Sequence, residues 1–387
     1  MNINKLIFSA KALILGMSIS TLVLILGLAS LEFLVRKIKP QITYDEAIAM
    51  SRGYWRPSNF APFTWKANLR YGDFTTNSLG YHSDEFLIEK PPTIYRVLVV
   101  GDSFVEGADD FHKAWPYITQ TLLREDHNLE VINAGFYGGY SPDSYYAYLK
   151  AEGLALKPDL VVLGLYLQND IADLKPNQWV RTEANGLPLQ VVSNWRKVDG
   201  QGRQWDGIIP LRYRYPYLYN SHLWVLLANW LDRTAPFLFH PSDEARQLQE
   251  NNFYNYLTFT DCIYKDEGCL PQLQPEFDKL LFVLTGIDKL LYSQDIPMLL
   301  VFETSKWQAK LMSNDSLADD NIYKLQRIIS EYFQKNGLSA KLYDLTPEIL
   351  SGNPIDYYKE NDTHWNDRGN ELVGQLVSGK IREIIDK

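Results

Sequence analysis

The sequence is poor in the residues that would commit it to metal, redox or nucleic-acid chemistry. Only two cysteines occur among 387 residues, Cys262 and Cys269. No CxxC pair and no adjacent histidine accompanies them, so they do not spell a zinc site. Two thiols this close in a polar stretch fit either a local disulfide of an oxidising compartment or two unrelated loop cysteines. Histidine is scarce too: His82, His112, His127, His222, His240 and His364 are the whole set. No cluster of lysine and arginine offsets the net charge of −9, which speaks against a partner gripped through its phosphates. Internal repeats are absent. So is the G-x-S-x-G elbow, so the ordinary α/β-hydrolase fold is not indicated. With 46% apolar and 22% charged residues, the composition is that of a globular chain.

What is present begins with one long apolar run. Residues 12–35 read ALILGMSISTLVLILGLASLEFLV, with Glu32 as the only charge. A helix of that length covers a hydrocarbon core of ~30 Å. The run is longer than a signal-peptide core, and no A-x-A cleavage site follows. The expectation is an uncleaved single-pass anchor preceded by a cytoplasmic N-terminus (1–11), with a cleaved signal as the alternative. Lys5 and Lys11 precede the run and Arg36, Lys37 and Lys39 follow it. These flanking charges lean against export of the body. Long domains translocate largely regardless of them, and the cysteine pair leans the other way, so the body is expected outside the cytoplasm.

Residues 36–90 form an irregular lead-in rich in aromatic and turn residues. An α/β rhythm begins at Tyr95 and fills 91–387. RVLVV is a short continuous apolar run ending at Gly101, as in a strand buried on both faces. AWPYITQTLLRE follows with helical spacing. LEVIN (129–133) is a second strand. Ser141 reads as an N-cap with Pro142 at the first helical position. DLVVLGLYL (159–167) is a third strand. From about 175 to 274 the rhythm breaks into an insertion. Beyond it come a helix near 276–292, a strand at 296–303, a helix near 320–335, a strand at 340–345, and a last helix from Asp367 to Ile385 striped by Leu372, Val373, Leu376, Ile381 and Ile384. Such alternation predicts an α/β fold with a mostly parallel sheet and helices on both faces.

In such sheets chemistry collects beyond the carboxyl ends of the strands. Strand one is followed by Gly101-Asp102-Ser103-Phe104. A serine at this turn can present its hydroxyl to the crevice and its N–H to an oxyanion. Strand two is followed by Asn133-Ala134-Gly135-Phe136-Tyr137-Gly138-Gly139, whose glycines permit close approach of backbone to ligand. Strand three is followed by Gln168-Asn169-Asp170, whose asparagine carries amide donors. Before the last helix stands Asp362-Thr363-His364-Trp365-Asn366. Among the six histidines only His364 combines that position with a carboxylate two residues away. The helix N-terminus should disfavour its imidazolium and Asp362 should favour it, opposed effects that would poise it near neutrality. Singly, each of these segments reads as well as a turn or a cap; their order is what makes a set.

In that order GDSF, NAGFYGG, GLYLQND and DTHWN resemble the four blocks of the SGNH (GDSL-like) hydrolase superfamily, over roughly residues 70–387 apart from the insertion. The resemblance implies a three-layer, flavodoxin-like sandwich and an acyl-ester substrate, with no cofactor and no metal. It implies Ser103 as nucleophile, His364 as general base and Asp362 as its orienting acid. The oxyanion hole would be the Ser103 N–H, the Gly138 N–H and the Asn169 side chain, with Gly135 as the alternative glycine. Much of the family has its acid three residues before the histidine, where this chain has Asn361. The D-T-H-W spelling resembles alginate O-acetyltransferases, and the anchor, NSLGYHSDE and HWNDRGN resemble anchored proteins of bacterial polysaccharide loci.

These readings point to a membrane-anchored serine esterase acting on an acyl ester, O-acetyl on a cell-envelope glycan being the expected one. A polysaccharide O-acetyltransferase and an inactive glycan-binding scaffold of the same fold are the alternatives. A two-metal phosphoesterase is a further class, though one suitably placed histidine is few for it. In the insertion, Trp205, Tyr213, Tyr215, Tyr217, Tyr219, Trp224 and Trp230 fit either a sugar-stacking platform or, with Leu223, Leu226 and Leu227, a helix packed as a lid. Nucleic acid is not indicated, and the sequence leaves protein partners open.

Overall fold

The structure, a computed structural model, describes residues 3–43, 54–136, 140–193, 197–198, 204–205, 211–215, 217–238, 271, 273–313, 322–360 and 362–387. Cys262, Cys269, Gly138 and Asn361 lie outside them. The described chain falls into two compact units. One holds the sheet and spans 51–207 and 253–387; the other joins 1–50 to 208–252.

The first unit is built on five strands: β1 (Tyr95–Gly101), β2 (Leu129–Gly135), β3 (Leu160–Leu165), β4 (Met298–Phe302) and β5 (Lys341–Asp344). All pair in parallel, in the order β2-β1-β3-β4-β5. This is the flavodoxin-like order, whose reversal point lies between β1 and β3. Successive side chains of each strand enter opposite cores. Leu98, Val100, Leu163 and Leu300 pack with α4 (Pro142–Ala151), α7 (Gln274–Tyr292) and α9 (Lys324–Lys335). Val97, Val99, Val162 and Val301 pack with α3 (Trp115–Leu123) and α10 (Asp367–Ile385). The predicted three-layer α/β sandwich is thus observed. Buried parallel strands need no polar face, which is why β3 and β4 and the VLVV of β1 read as unbroken apolar runs; the edge strand β5 (KLYD) is only partly buried.

The lead-in is less loose than its irregular sequence suggests. Trp55, Phe60, Phe63, Trp65, Phe74 and Tyr81 all join the α4-side core, and Trp55 stacks on Trp65 at 3.9 Å. The first part of the insertion forms a β-hairpin, Asn177–Thr182 paired with Pro188–Ser193. Buried Asp143 ties it to α4, accepting hydrogen bonds from Asn177 and from the Trp179 indole. Ser141 precedes α4 as predicted, but its hydroxyl does not cap the helix. It donates to Asp143 Oδ1 instead, and that oxygen accepts the Ser144 N–H.

Three glycines lie where the strands meet α2 (Ser103–Glu106). A Cβ on Gly101 or Gly164 would stand 2.3 or 2.4 Å from the Val105 side chain. A Cβ on Gly135 would stand 2.1 Å from the Glu106 backbone nitrogen, an atom that cannot rotate away. Gly135 therefore serves close packing of α2 against β2, where the sequence had suggested close approach to a ligand.

The second unit contains α1 (Ile3–Ile38), the short α5 (Leu211–Arg214) and α6 (His222–Thr234). Residues 14–38 of α1 are long and apolar enough to cross a membrane. Of the aromatic residues of the insertion, Tyr215 meets Trp224 edge-on at 5.8 Å. Tyr217 and Trp230 are exposed, and the side chains of Trp205 and Tyr213 lie outside the described residues. Leu223, Trp224, Leu226 and Leu227 belong to α6, which groups with α1 rather than with the sheet.

Substituting Gly135→Ala should cost about 1–3 kcal/mol of stability through overpacking and shift α2. Thermal unfolding of the variant checks the first effect, and loss of activity out of proportion to it checks the second.

Candidate active site

Ser103 opens α2 directly beyond β1, with Asp102 as N-cap accepting the Phe104 N–H at 2.8 Å. As the first residue of a helix it has an N–H without an intrahelical acceptor, and no hydrogen bond to that N–H occurs among the described residues. Its hydroxyl lies 2.8 Å from His364 Nε2. His364 Nδ1 lies 2.7 Å from Asp362 Oδ1. Three residues expected to act together thus form one hydrogen-bonded row, although the serine and histidine stand 261 positions apart. The row climbs toward solvent. Ser103 is 8% exposed, and the side chains of His364 and Asp362 are 28% and 44% exposed.

The histidine is positioned from several sides. Its ring stands 5.0 Å from that of Phe104, which stacks on Tyr166 at 3.7 Å and meets Trp365 edge-on. The loop that carries it is clasped at its base by a bridge between Tyr358 and Trp365, with the Lys359 N–H bonded to the His364 carbonyl at 2.9 Å. Asn366 caps α10 through the Gly369 N–H at 3.0 Å, fixing the loop's exit. Inside the loop sits the ammonium of Lys306, from the first position of α8 (Lys306–Ser313). It donates to the carbonyls of Lys359, Glu360 and Asp362, the last two at 2.8 Å. An ammonium has three donors, and all three are spent on turning this loop's backbone inward.

Lys306 was not singled out in the sequence, although a signal existed. It stands four residues beyond the end of β4, at the sheet edge where chemistry collects, in a segment (ETSK) that matches no familiar spelling.

The oxyanion donors are less complete. The Asn169 Nδ2 donates to Asp102 Oδ2 at 3.0 Å, a partner the sequence did not suggest. That bond uses one of two amide hydrogens, and the other has no acceptor among the described residues. The Gly135 N–H is taken by Asn133 Oδ1 at 2.9 Å, so this alternative glycine has no N–H to offer. Gly138 lies outside the described residues.

Acidic groups near the site divide sharply. Asp362 is held far below the usual carboxylate range, chiefly by its hydrogen bond to His364. Asp102, Asp170 and Glu303 are buried and Glu106 is half-buried, and burial pushes each of them up; the charge of Asp102 raises the other three further. Among the described residues neither Glu303 carboxyl oxygen has a hydrogen-bond partner, as suits an uncharged acid rather than a carboxylate. The exposed acid of the row is therefore the one held low, while Glu106, Asp170 and Glu303 beneath it are raised. Among the described residues no group of three or more His, Cys, Asp or Glu side chains could hold a metal ion.

On the Asp362 side of the row opens a hollow of about 340 Å³, lined by Lys306, Trp307, Lys310, Glu360, Asp362 and Thr363. Lys310 lies over the Trp307 ring at 4.9 Å.

Replacing Lys306 by Met should leave the fold intact but free the loop. A misplacement of about 1 Å costs roughly a hundredfold in turnover. Steady-state kinetics on an aryl acetate should show that loss in kcat with KM little changed, and Lys306→Arg should restore part of it. Equal losses in the two variants together with lowered thermal stability would point to a structural role alone.

No family model matches the chain, and no curated protein does. Solved structures similar to it include an acetyl xylan esterase, 16% identical, covering 74% of this chain and 99% of that one at a TM-score of 0.39. A lipase/acylhydrolase from Enterococcus faecalis is 12% identical and covers 75% and 96% at 0.35. A GDSL-like lipase from Bacteroides thetaiotaomicron is 11% identical and covers 75% and 88% at 0.35.

Proposed function

We propose that this chain is a membrane-anchored serine esterase of the SGNH type, acting on O-acyl groups of a cell-envelope glycan. The observation that carries the proposal is the row Ser103 Oγ–His364 Nε2–Asp362 Oδ1, at 2.8 and 2.7 Å. A nucleophile is activated when a base within hydrogen-bond reach is itself oriented by a third group.

The chemistry follows from this arrangement. Ser103 Oγ bonds to the ester carbonyl carbon while its proton passes to His364 Nε2. Asp362, kept ionised, stabilises the resulting imidazolium. The oxyanion takes hydrogen bonds from the Ser103 N–H and the free amide hydrogen of Asn169, with Gly138 as the third donor. Each such donor contributes ~2.7–4 kcal/mol to the transition state. Collapse breaks the ester C–O bond, and the imidazolium protonates the departing alkoxide. Water then attacks the acyl-enzyme while His364 takes its proton; collapse breaks the acyl–Ser103 Oγ bond, releases the acid and returns that proton from His364 to Ser103 Oγ, and a sugar hydroxyl in place of water makes the same site a transferase.

A glycan substrate is favoured by the hollow beside Asp362. The Trp307 indole beside the Lys310 ammonium and the Glu360 and Asp362 carboxylates suits a polyol ring better than a lipid chain. In the same proposal α1 is an uncleaved anchor and the body lies outside the cytoplasm.

A fluorophosphonate probe should label the folded protein, and the label should vanish in Ser103→Ala. Incubation with acetylated glycans should release acetate and fall at least a thousandfold in that variant. Acetylated sugar in place of free acetate would reassign the acceptor, and an unlabelled wild type would leave only a binding scaffold.

A further inference from the structure

Helix α1 ends in a contact that a simple tether does not need. Between Ile14 and Ile38 every residue is exposed except Glu32 and Val35. Glu32 is the one acidic residue of the apolar run, and it is fully engaged. Its carboxylate accepts the His222 N–H at 3.0 Å, the Leu223 N–H at 2.8 Å and the Ser221 hydroxyl at 2.8 Å. The two N–H groups are orphan donors of the first turn of α6, whose N-cap is Ser221, and a negative charge there also meets the positive end of the helix dipole. The Gln41 N–H adds a bond to His222 Nδ1 at 2.9 Å. Two segments separated by about 180 residues are thereby locked at one level.

With α1 as the anchor, that level is the edge of a bilayer. The apolar run opens at Ala12 and Glu32 stands twenty positions further on, a rise of about 30 Å along the helix, which spans a hydrocarbon core. Arg36, Lys37 and Lys39 follow, placed to reach phosphate headgroups. Because no residue of α1 from Ile14 to Leu31 is covered, α6 does not run back along the span. It leaves the anchor at the boundary.

The face it presents there is apolar. Leu227 and Trp230 lie one turn apart and are 45% and 59% exposed; Phe237 and Leu238, just past the helix, are 56% and 76% exposed. Val225, Ala228 and Asp232 are buried on the other side, Asp232 accepting the Leu211 N–H at 3.0 Å. A helix with one apolar exposed face, a tryptophan in it and an arginine (Arg233) at its end has the composition of an interfacial segment.

We propose that α6 is an in-plane membrane helix, its Leu227, Trp230, Phe237 and Leu238 side chains entering the lipid boundary while Glu32 fixes it to the anchor. The occupant of this face is the bilayer itself. The inference rests on α1 being an anchor and does not depend on esterase activity.

The test uses the full-length chain in phosphatidylcholine vesicles carrying bromine on the upper acyl chain. Flotation on a density gradient reads the anchor, and fluorophosphonate labelling of Ser103 reads the active site independently. Bromolipid should quench part of the tryptophan emission. That quenched part should fall in Trp230→Phe and stay unchanged in Trp179→Phe. Glu32→Leu should still float but lose the Trp230 contribution. The proposal is overturned if floating protein shows no Trp230-dependent quenching by bromolipid. Quenching of Trp230 by aqueous acrylamide alone would place this face in water. Protection of Trp230 from both quenchers would place it under another protein or a second copy, and either result overturns the proposal. Failure to float overturns it together with the anchor, leaving the labelling result to stand or fall separately.

Discussion

The hydrogen bond between Ser103 and His364 joins two parts of the chain that have no local reason to meet, and most of the first unit is arranged to make it. Ser103 owes its position to β1 and to the absence of side chains at Gly101, Gly135 and Gly164, which lets α2 lie directly on the strand ends. His364 owes its position to a loop closed by the Tyr358–Trp365 bridge, filled by the Lys306 ammonium and ended by the Asn366 cap of α10. The sheet brings both to its carboxyl edge, near the reversal point between β1 and β3. A shift in any of these supports lengthens the 2.8 Å contact, and proton transfer to a general base requires hydrogen-bond reach.

Electrostatics then assigns the acids. Asp102 is the residue next to the proposed nucleophile, and its charge would be the obvious stabiliser of an imidazolium. It is instead buried, raised by that burial, and occupied with the Phe104 N–H and the Asn169 amide. Asp362 is more exposed and held low. Environments that push titratable groups apart mark out their roles. The outer acid carries the charge that orients His364, and the inner acid orients the asparagine.

Much of the fold was legible because a buried parallel strand is an apolar run with a turn behind it, as β1, β3 and β4 are, and because β2 and β5 keep the same alternation with helices. Ser103, His364 and Asp362 were legible because they follow strands or precede a helix in a recognisable order. The close-packing role of Gly135 was not, since a glycine that admits a helix backbone and one that admits a ligand look alike in sequence. Lys306 was missed because its three partners are backbone carbonyls, which carry no residue identity. The Asn169–Asp102 bond was missed for a similar reason: each residue had a role of its own before the two were seen together. The division of the insertion, its hairpin with the sheet and α6 with α1, depends on Asp143 and Glu32 finding partners 36 and about 190 residues away, which periodicity does not encode.

The central claim is that an acyl group passes through the Ser103 hydroxyl. Its most direct test is mass spectrometry of the protein quenched with acid during turnover of an acetyl ester. The account predicts one acetyl group on the peptide containing Ser103, accumulating in the wild type and absent from Ser103→Ala. Turnover with no acyl adduct, or an adduct on another residue, would contradict it.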